Sequence, residues 1–133
     1  IEYYFRVSME FYLSIALGGA LGALTRYAIS IFFASHYATI LPWGTIFANV
    51  AGSFLMGVLF IVLQEKLHQY ETIRGLLVVG FLGAMTTFSS FSLETLILLQ
   101  KGNYLYAFGY IIGSVGFCLL AALIGIQITR SWI

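Results

Sequence analysis

Charge is what this sequence has least of. Of its 133 residues, six are Lys or Arg and five are Asp or Glu, 8% charged in all, against about 25% in an average soluble domain. So few charges cannot coat a small domain whose surface faces water. A single cysteine, Cys118, excludes an intrachain disulfide and any Cys-cluster metal site. The two histidines, His36 and His68, lie far apart in polar stretches and read as interfacial, because a metal site needs clustered ligands. The net charge is +1, with no basic arm or patch, so nucleic-acid binding is not expected. The first long apolar run lacks a basic leader followed by an Ala-x-Ala-like site, so no cleavable signal is read. The chain starts at Ile1, and Ile1–Ser8 reads as a trimmed terminus, an appended remnant or a start misassigned ahead of Met9.

What is present in excess is apolar surface: 61% of residues are hydrophobic and 17% aromatic. That composition excludes intrinsic disorder and points to an integral membrane protein of one domain, residues 1–133. A spanning helix needs about 20 mostly apolar residues. Four stretches qualify, at about residues 11–35, 43–63, 73–99 and 104–129. The apolar runs are continuous, whereas barrel strands alternate over about 10 residues, so the class is all-α. Tyr37, Trp43, Tyr70, Tyr104 and Trp132 fall near the span ends, where aromatic side chains anchor at the interface. The linkers are too short for a soluble catalytic domain, and no His/Cys/carboxylate constellation suggests an intramembrane enzyme. With four spans, Arg6, Lys66, Arg74 and Arg130 share one side and Lys101 lies on the other, a count that would put both termini in the cytoplasm.

Polar groups at membrane depth are costly and tend to mark function. Thr45, Asn49 and Ser53 are spaced four apart and form one stripe on the second span. The stripe fits an aqueous or ion-lined path, although an Asn can also hold helices together. Tyr106, Tyr110, Ser114 and Cys118 repeat every four residues in the fourth span; Ser can alternatively bond its own helix. Glycines at positions 18, 19, 22, 52, 57, 109, 113 and 116 suit close helix contacts, either within the chain or with a second subunit.

The third span is the unusual one. Two glycines, Gly80 and Gly83, precede five hydroxyl residues within seven positions, from Thr86 to Ser92. Gly holds a helix poorly, and Thr and Ser compete for backbone hydrogen bonds, so the span is expected to break near residues 83–87. Freed carbonyls at such a break are ready ligands for a hard cation. The N-terminus of the following half-helix offers N–H groups to an anion. Phe88 and Phe91 are three apart and share a face of that half-helix. Their positive ring edges could meet an anion without a formal charge. Two charges lie at depth: Arg26, which snorkels or draws anions to a vestibule, and Glu94, a proton carrier, a gate or a hydrogen-bonded structural group.

Three runs carry a resemblance. Gly18 to Tyr27 (GGALGALTRY), Gly44 to Phe54 (GTIFANVAGSF) and Gly83 to Glu94 (GAMTTFSSFSLE) are similar to the small bacterial fluoride channels, the Fluc or CrcB family. The resemblance covers nearly the whole chain, and its most specific part is the T-T-F-S-x-F-S run. It implies a passive, highly selective fluoride channel that exports fluoride across the inner (plasma) membrane. It implies an antiparallel, dual-topology homodimer with two pores along the interface and a central structural Na+ that is not transported. By the same resemblance, Asn49 donates to fluoride and Phe88 and Phe91 turn ring edges to the pore. Thr45, Ser90, Glu94, Tyr110 and Ser114 form a polar track, and Arg26 lies near the vestibule. Gly83 and Thr86 hold Na+ through backbone carbonyls. Cys118 departs from the pattern, since a thiol is a weaker donor than a hydroxyl. The Lys/Arg count also fits one orientation better than dual insertion. The competing expectations are a proton-coupled four-helix dimeric exporter using Glu94 and an assembly subunit with no transport.

Overall fold

The computed structural model describes residues 9–65 and 70–133; Arg6, Lys66 and His68 lie outside them, as does the segment Ile1–Ser8. The described chain is helical, with no strand. Helix α1 spans Met9–His36 and α2 spans Trp43–Glu65. The third crossing, Glu71–Gln100, is two half-helices: α3, residues 71–85, and α4, Phe88–Gln100. Helix α5 runs Tyr104–Trp132. At about 1.5 Å per residue, each full crossing exceeds the ~30 Å hydrocarbon core of a bilayer. The expected spans are therefore present, each a few residues longer than its apolar run. Together the four crossings make a multi-pass membrane protein. The helices expose leucine, isoleucine and phenylalanine on most sides, as lipid-facing helices do.

Glycine sets which helices approach. Helix α1 packs along α3 and α2 along α5. A methyl at Gly18 or Gly22 would overlap the backbone of α3 at Leu76 or Phe81. One at Gly57 would overlap the Ala122 carbonyl of α5, and one at Gly125 the Phe54 carbonyl of α2. These close backbone contacts are how helices associate in lipid, where no hydrophobic force drives them together. Gly52 meets Met85 and Thr86 at the end of α3. At Gly19, Gly109 and Gly116 an added methyl would meet no atom of the described residues within 4 Å. Close contact within the chain therefore accounts for Gly18, Gly22, Gly52 and Gly57 and not for these three.

The third crossing is broken within the expected residues 83–87, and it winds in a way the sequence does not announce. Residues Gly75–Leu82 wind as a π-helix, so the Gly83 N–H reaches the Val78 carbonyl five residues back. The break lies within the expected 83–87 stretch, past Gly83, which keeps helical dihedrals (φ −61°, ψ −34°). It falls at Thr86 and Thr87, both extended (ψ 150° and 123°). The chain then turns from α4 into α5 through Gly102, at φ 74°. There the Asn103 N–H bonds the Leu98 carbonyl (2.9 Å) and the Gly102 N–H the Leu99 carbonyl (3.0 Å). This six-to-one and five-to-two pairing ends a helix with a glycine in the left-handed region. It folds α5 back on α4, burying Leu98, Ala107 and Tyr110 together.

Candidate functional site

Two extended residues inside a membrane crossing leave peptide groups that lipid cannot satisfy. Asn49 of α2 meets this need. Its Oδ1 accepts the Thr87 N–H (2.8 Å), and its Nδ2 donates to the Thr87 carbonyl (3.0 Å). One carboxamide thus satisfies both backbone groups of one residue. The amide has two N–H donors, so one remains beyond the Thr87 bond. The start of α4 is held locally: the Thr87 Oγ1 accepts the Ser90 N–H (3.1 Å) and pairs with the Ser90 Oγ (3.2 Å) and the Ser89 Oγ (3.1 Å). A threonine accepting from the third residue onward is an N-cap.

The same local chemistry fixes which carbonyls stay open at the end of α3. Leu82 receives both the N–H (3.0 Å) and the Oγ1 (2.8 Å) of Thr86. Ala84 receives the Nε of Arg26 (3.0 Å). The Thr87 N–H, which an unbroken helix would send to Gly83, goes to Asn49. The Ser90 N–H, which would go to Thr86, goes to the Thr87 hydroxyl. Gly83 and Thr86 therefore lose their helical donors, and peptide oxygens of this kind suit a hard cation.

Beside the break lies a cavity of about 590 Å³, lined by Asn49, Ser53, Gly83, Thr86, Thr87, Phe88, Phe91, Ser114 and Cys118 among others. Four separate segments contribute to it. The Phe88 and Phe91 rings sit 5.4 Å apart at 46°, so they do share a face. Phe91 in turn lies 5.0 Å from the Tyr110 ring. Ser114 is 7% exposed, and its Oγ has no hydrogen-bond partner among the described residues. An orphaned buried hydroxyl is uncommon, and this one borders both the main cavity and a 180 Å³ cavity that also reaches Tyr106 and Tyr110.

Past Phe91 the polar residues form a hydrogen-bonded trio. Thr45 Oγ1 donates to Glu94 Oε1 and Tyr110 Oη donates to Glu94 Oε2, each at 2.7 Å. Glu94 also borders two cavities, of about 550 and 400 Å³, under the 37–42 linker. Of the residues singled out in the sequence, Asn49, Phe88, Phe91 and Ser114 thus come together at one cavity, with Gly83 and Thr86 on its wall. Thr45, Glu94 and Tyr110 form the neighbouring trio, and Phe91 joins the two groups. Ser90 stands at the cap of α4. Arg26 is tied to the end of α3. On α5, Tyr110 turns to Glu94 and the Ser114 hydroxyl is unpaired among the described residues. Thr87 is the site residue that sequence reasoning misses; its place after Thr86 and before the Phe-Ser-Ser run is the signal for its capping role. Among the described residues His36 bonds locally, to Ser35 and the Phe32 carbonyl (2.9 Å each).

A family profile described as CrcB-like protein, Camphor Resistance (CrcB), matches residues 13–126. The chain belongs to the CrcB family. A relative from Hahella chejuensis is 48% identical over 116 residues, covering 87% of this chain and 91% of its own. One from Magnetococcus marinus is 45% identical over 116 residues, covering 87% and 94%. One from Shewanella baltica is 44% identical over 119 residues, covering 90% and 95%. All three are named fluoride-specific ion channel FluC. The CrcB match takes in the break and every cavity residue named above, with most of each crossing.

Proposed function

We propose that this chain is a passive, selective fluoride channel, not an enzyme, that releases fluoride across the plasma membrane. The observation that carries the proposal is the convergence of Asn49, Phe88, Phe91 and Ser114 on one cavity beside the helix break. Fluoride is small and strongly hydrated, so a pore must replace water with donors. The cavity supplies three kinds: the second N–H of Asn49, the unpartnered Ser114 hydroxyl and the positive edges of two phenylalanine rings. None is a fixed cation, so an anion can be held without being trapped; conduction needs binding weak enough to permit exit. From Phe91 the route continues past Tyr110 to Glu94. There Thr45 and Tyr110 hold the carboxylate through both oxygens, which shields the passing anion from its charge.

The working unit we propose is an antiparallel homodimer with two pores along its interface. Phe88 is 77% exposed in the single chain, and Gly19, Gly109 and Gly116 present open backbone. A second copy would cover these faces and wall the cavity. The Gly83 and Thr86 carbonyls would hold a structural Na+ at the centre, two from each copy, giving the all-oxygen set a hard cation prefers. The ion's contribution would be to join two helix breaks; it would not take part in fluoride movement.

The test is fluoride efflux from proteoliposomes under a fluoride gradient, with valinomycin to dissipate voltage and chloride as control. Fast fluoride efflux that depends on the potassium shunt, with chloride retained, is the expected result. Efflux that instead needs a proton gradient would favour a coupled exporter built on Glu94. No efflux from verified dimers in sodium buffer would overturn the channel reading.

A further inference from the structure

Ser14, Gly18, Gly22 and Arg26 are spaced four apart on α1 and share one face. Ser14 lies against Gly75, Gly18 against the Leu76 backbone and Gly22 against the Phe81 backbone. This face therefore tracks α3 from its start to its last turns, and Arg26 arrives where α3 ends. There its Nε donates to the Ala84 carbonyl at 3.0 Å, across 58 residues of sequence.

From this the geometry points to Arg26 as the C-terminal cap of half-helix α3, and so as a positioning residue that decides which carbonyls the break leaves open. A helix end leaves up to four carbonyls without internal donors. Thr86 covers Leu82 and Arg26 covers Ala84, which leaves Gly83 and Thr86 among the carbonyls still open. Without the Arg26 bond, the Ala84 carbonyl would compete for any cation at the break, and the last turn of α3 would be free to fray. A cation at a helix C-terminus is also stabilised by the helix dipole. This explains how a half-buried guanidinium is accommodated at membrane depth, where a bare charge is costly. Lysine is not equivalent: the Nε–H of Arg points sideways from a rigid plane, whereas an ammonium is a mobile point charge. The inference rests on the sodium reading for what the open pair binds; the cap itself does not.

The experiment has two arms on the full chain in lipid nanodiscs or liposomes. In the first, hydrogen exchange of the arginine Nε protons is followed by 15N NMR on the unaltered protein. The Arg26 Nε proton is expected to exchange at least about tenfold more slowly than those of the exposed Arg74 and Arg130, as a proton held in a structural hydrogen bond does; equal rates overturn the cap. In the second, sodium is titrated against N-methylglucamine at constant ionic strength, reading both dimer population and fluoride flux. Arg26→Gln and Arg26→Lys are both expected to raise the half-maximal sodium concentration about tenfold, the equivalent of one hydrogen bond to a charged group. An unchanged midpoint, with a flux loss in Arg26→Gln that Arg26→Lys restores and salt screens, would make Arg26 an anion attractor and overturn the proposal. Unaltered protein indifferent to sodium would overturn the sodium reading while the Nε exchange still decides the cap.

Discussion

Asn49→Asp is the substitution that separates the two jobs of Asn49. Its Oδ1 bond to the Thr87 N–H (2.8 Å) survives, because the carboxylate keeps an acceptor there. Its Nδ2 bond to the Thr87 carbonyl (3.0 Å) becomes a contact between two acceptors. Leaving that carbonyl unpaired costs about 1–3 kcal/mol. The second N–H, assigned to fluoride, is lost as well, and a negative charge replaces it. At ~4 Å and an effective dielectric of ~20, that charge opposes an anion by about 4 kcal/mol. At about 1.4 kcal/mol per decade, occupancy falls by close to three orders of magnitude. Asn49→Ala is the control: it removes both Thr87 bonds but adds no charge, so it weakens the fold more and repels fluoride less. Proteoliposome efflux should therefore fall further in Asn49→Asp than in Asn49→Ala, while thermal unfolding in detergent ranks them the other way. Asn49→Asp with undiminished flux from intact dimers would refute the assigned donor role.

The remaining predictions concern the neighbouring residues. Phe88→Ile and Phe91→Ile should each reduce fluoride flux at least tenfold, as the loss of ring-edge contacts worth about 0.5–1.5 kcal/mol compounds with a reshaped cavity, and dimers should persist on size exclusion; normal flux in both removes the ring-edge argument. Tyr110→Phe leaves one Glu94 oxygen without its donor and Thr45→Val the other, so each should slow efflux, and the double variant should depart from additivity because the three groups form one network. Gly22→Ala places a methyl into the Phe81 backbone and should destabilise the fold by about 1–3 kcal/mol, the range for overpacking; unchanged unfolding in a denaturing detergent titration would contradict the α1–α3 packing described.

The crossings are legible in the sequence because about 20 apolar residues in a row admit few other structures. The break is legible to within the stretch 83–87, though not to the residue. Gly83 marks the neighbourhood, yet the helix passes through it and opens at Thr86 and Thr87. What fixes its place within that stretch is Asn49, which offers both an acceptor and a donor to Thr87 from 38 residues away; no local propensity contains that information. The π-helical winding of Gly75–Leu82 is hidden for the same reason, since the contact of Gly75 and Gly80 with α1 is tertiary. The site residues are legible as separate stripes: Thr45 and Asn49 on one helix, Tyr110 and Ser114 on another, Phe88, Phe91 and Glu94 between. Their joining is not, because a stripe says which residues share a face and not which face it meets. Arg26 is the instructive case. Its spacing of four from Gly22, and of eight from Gly18, is plain in the sequence and places the side chain along the seam with α3, but its bond to Ala84 requires knowing where α3 ends.

The most direct test of the central claim is the reversal potential of currents through the reconstituted protein in a planar bilayer. A tenfold fluoride gradient is set with chloride equal on both sides. A passive, fluoride-selective pathway predicts reversal at the fluoride equilibrium potential, about 59 mV in magnitude for one charge, unmoved by a pH gradient. Reversal near zero, or a shift that follows the proton gradient, would contradict it.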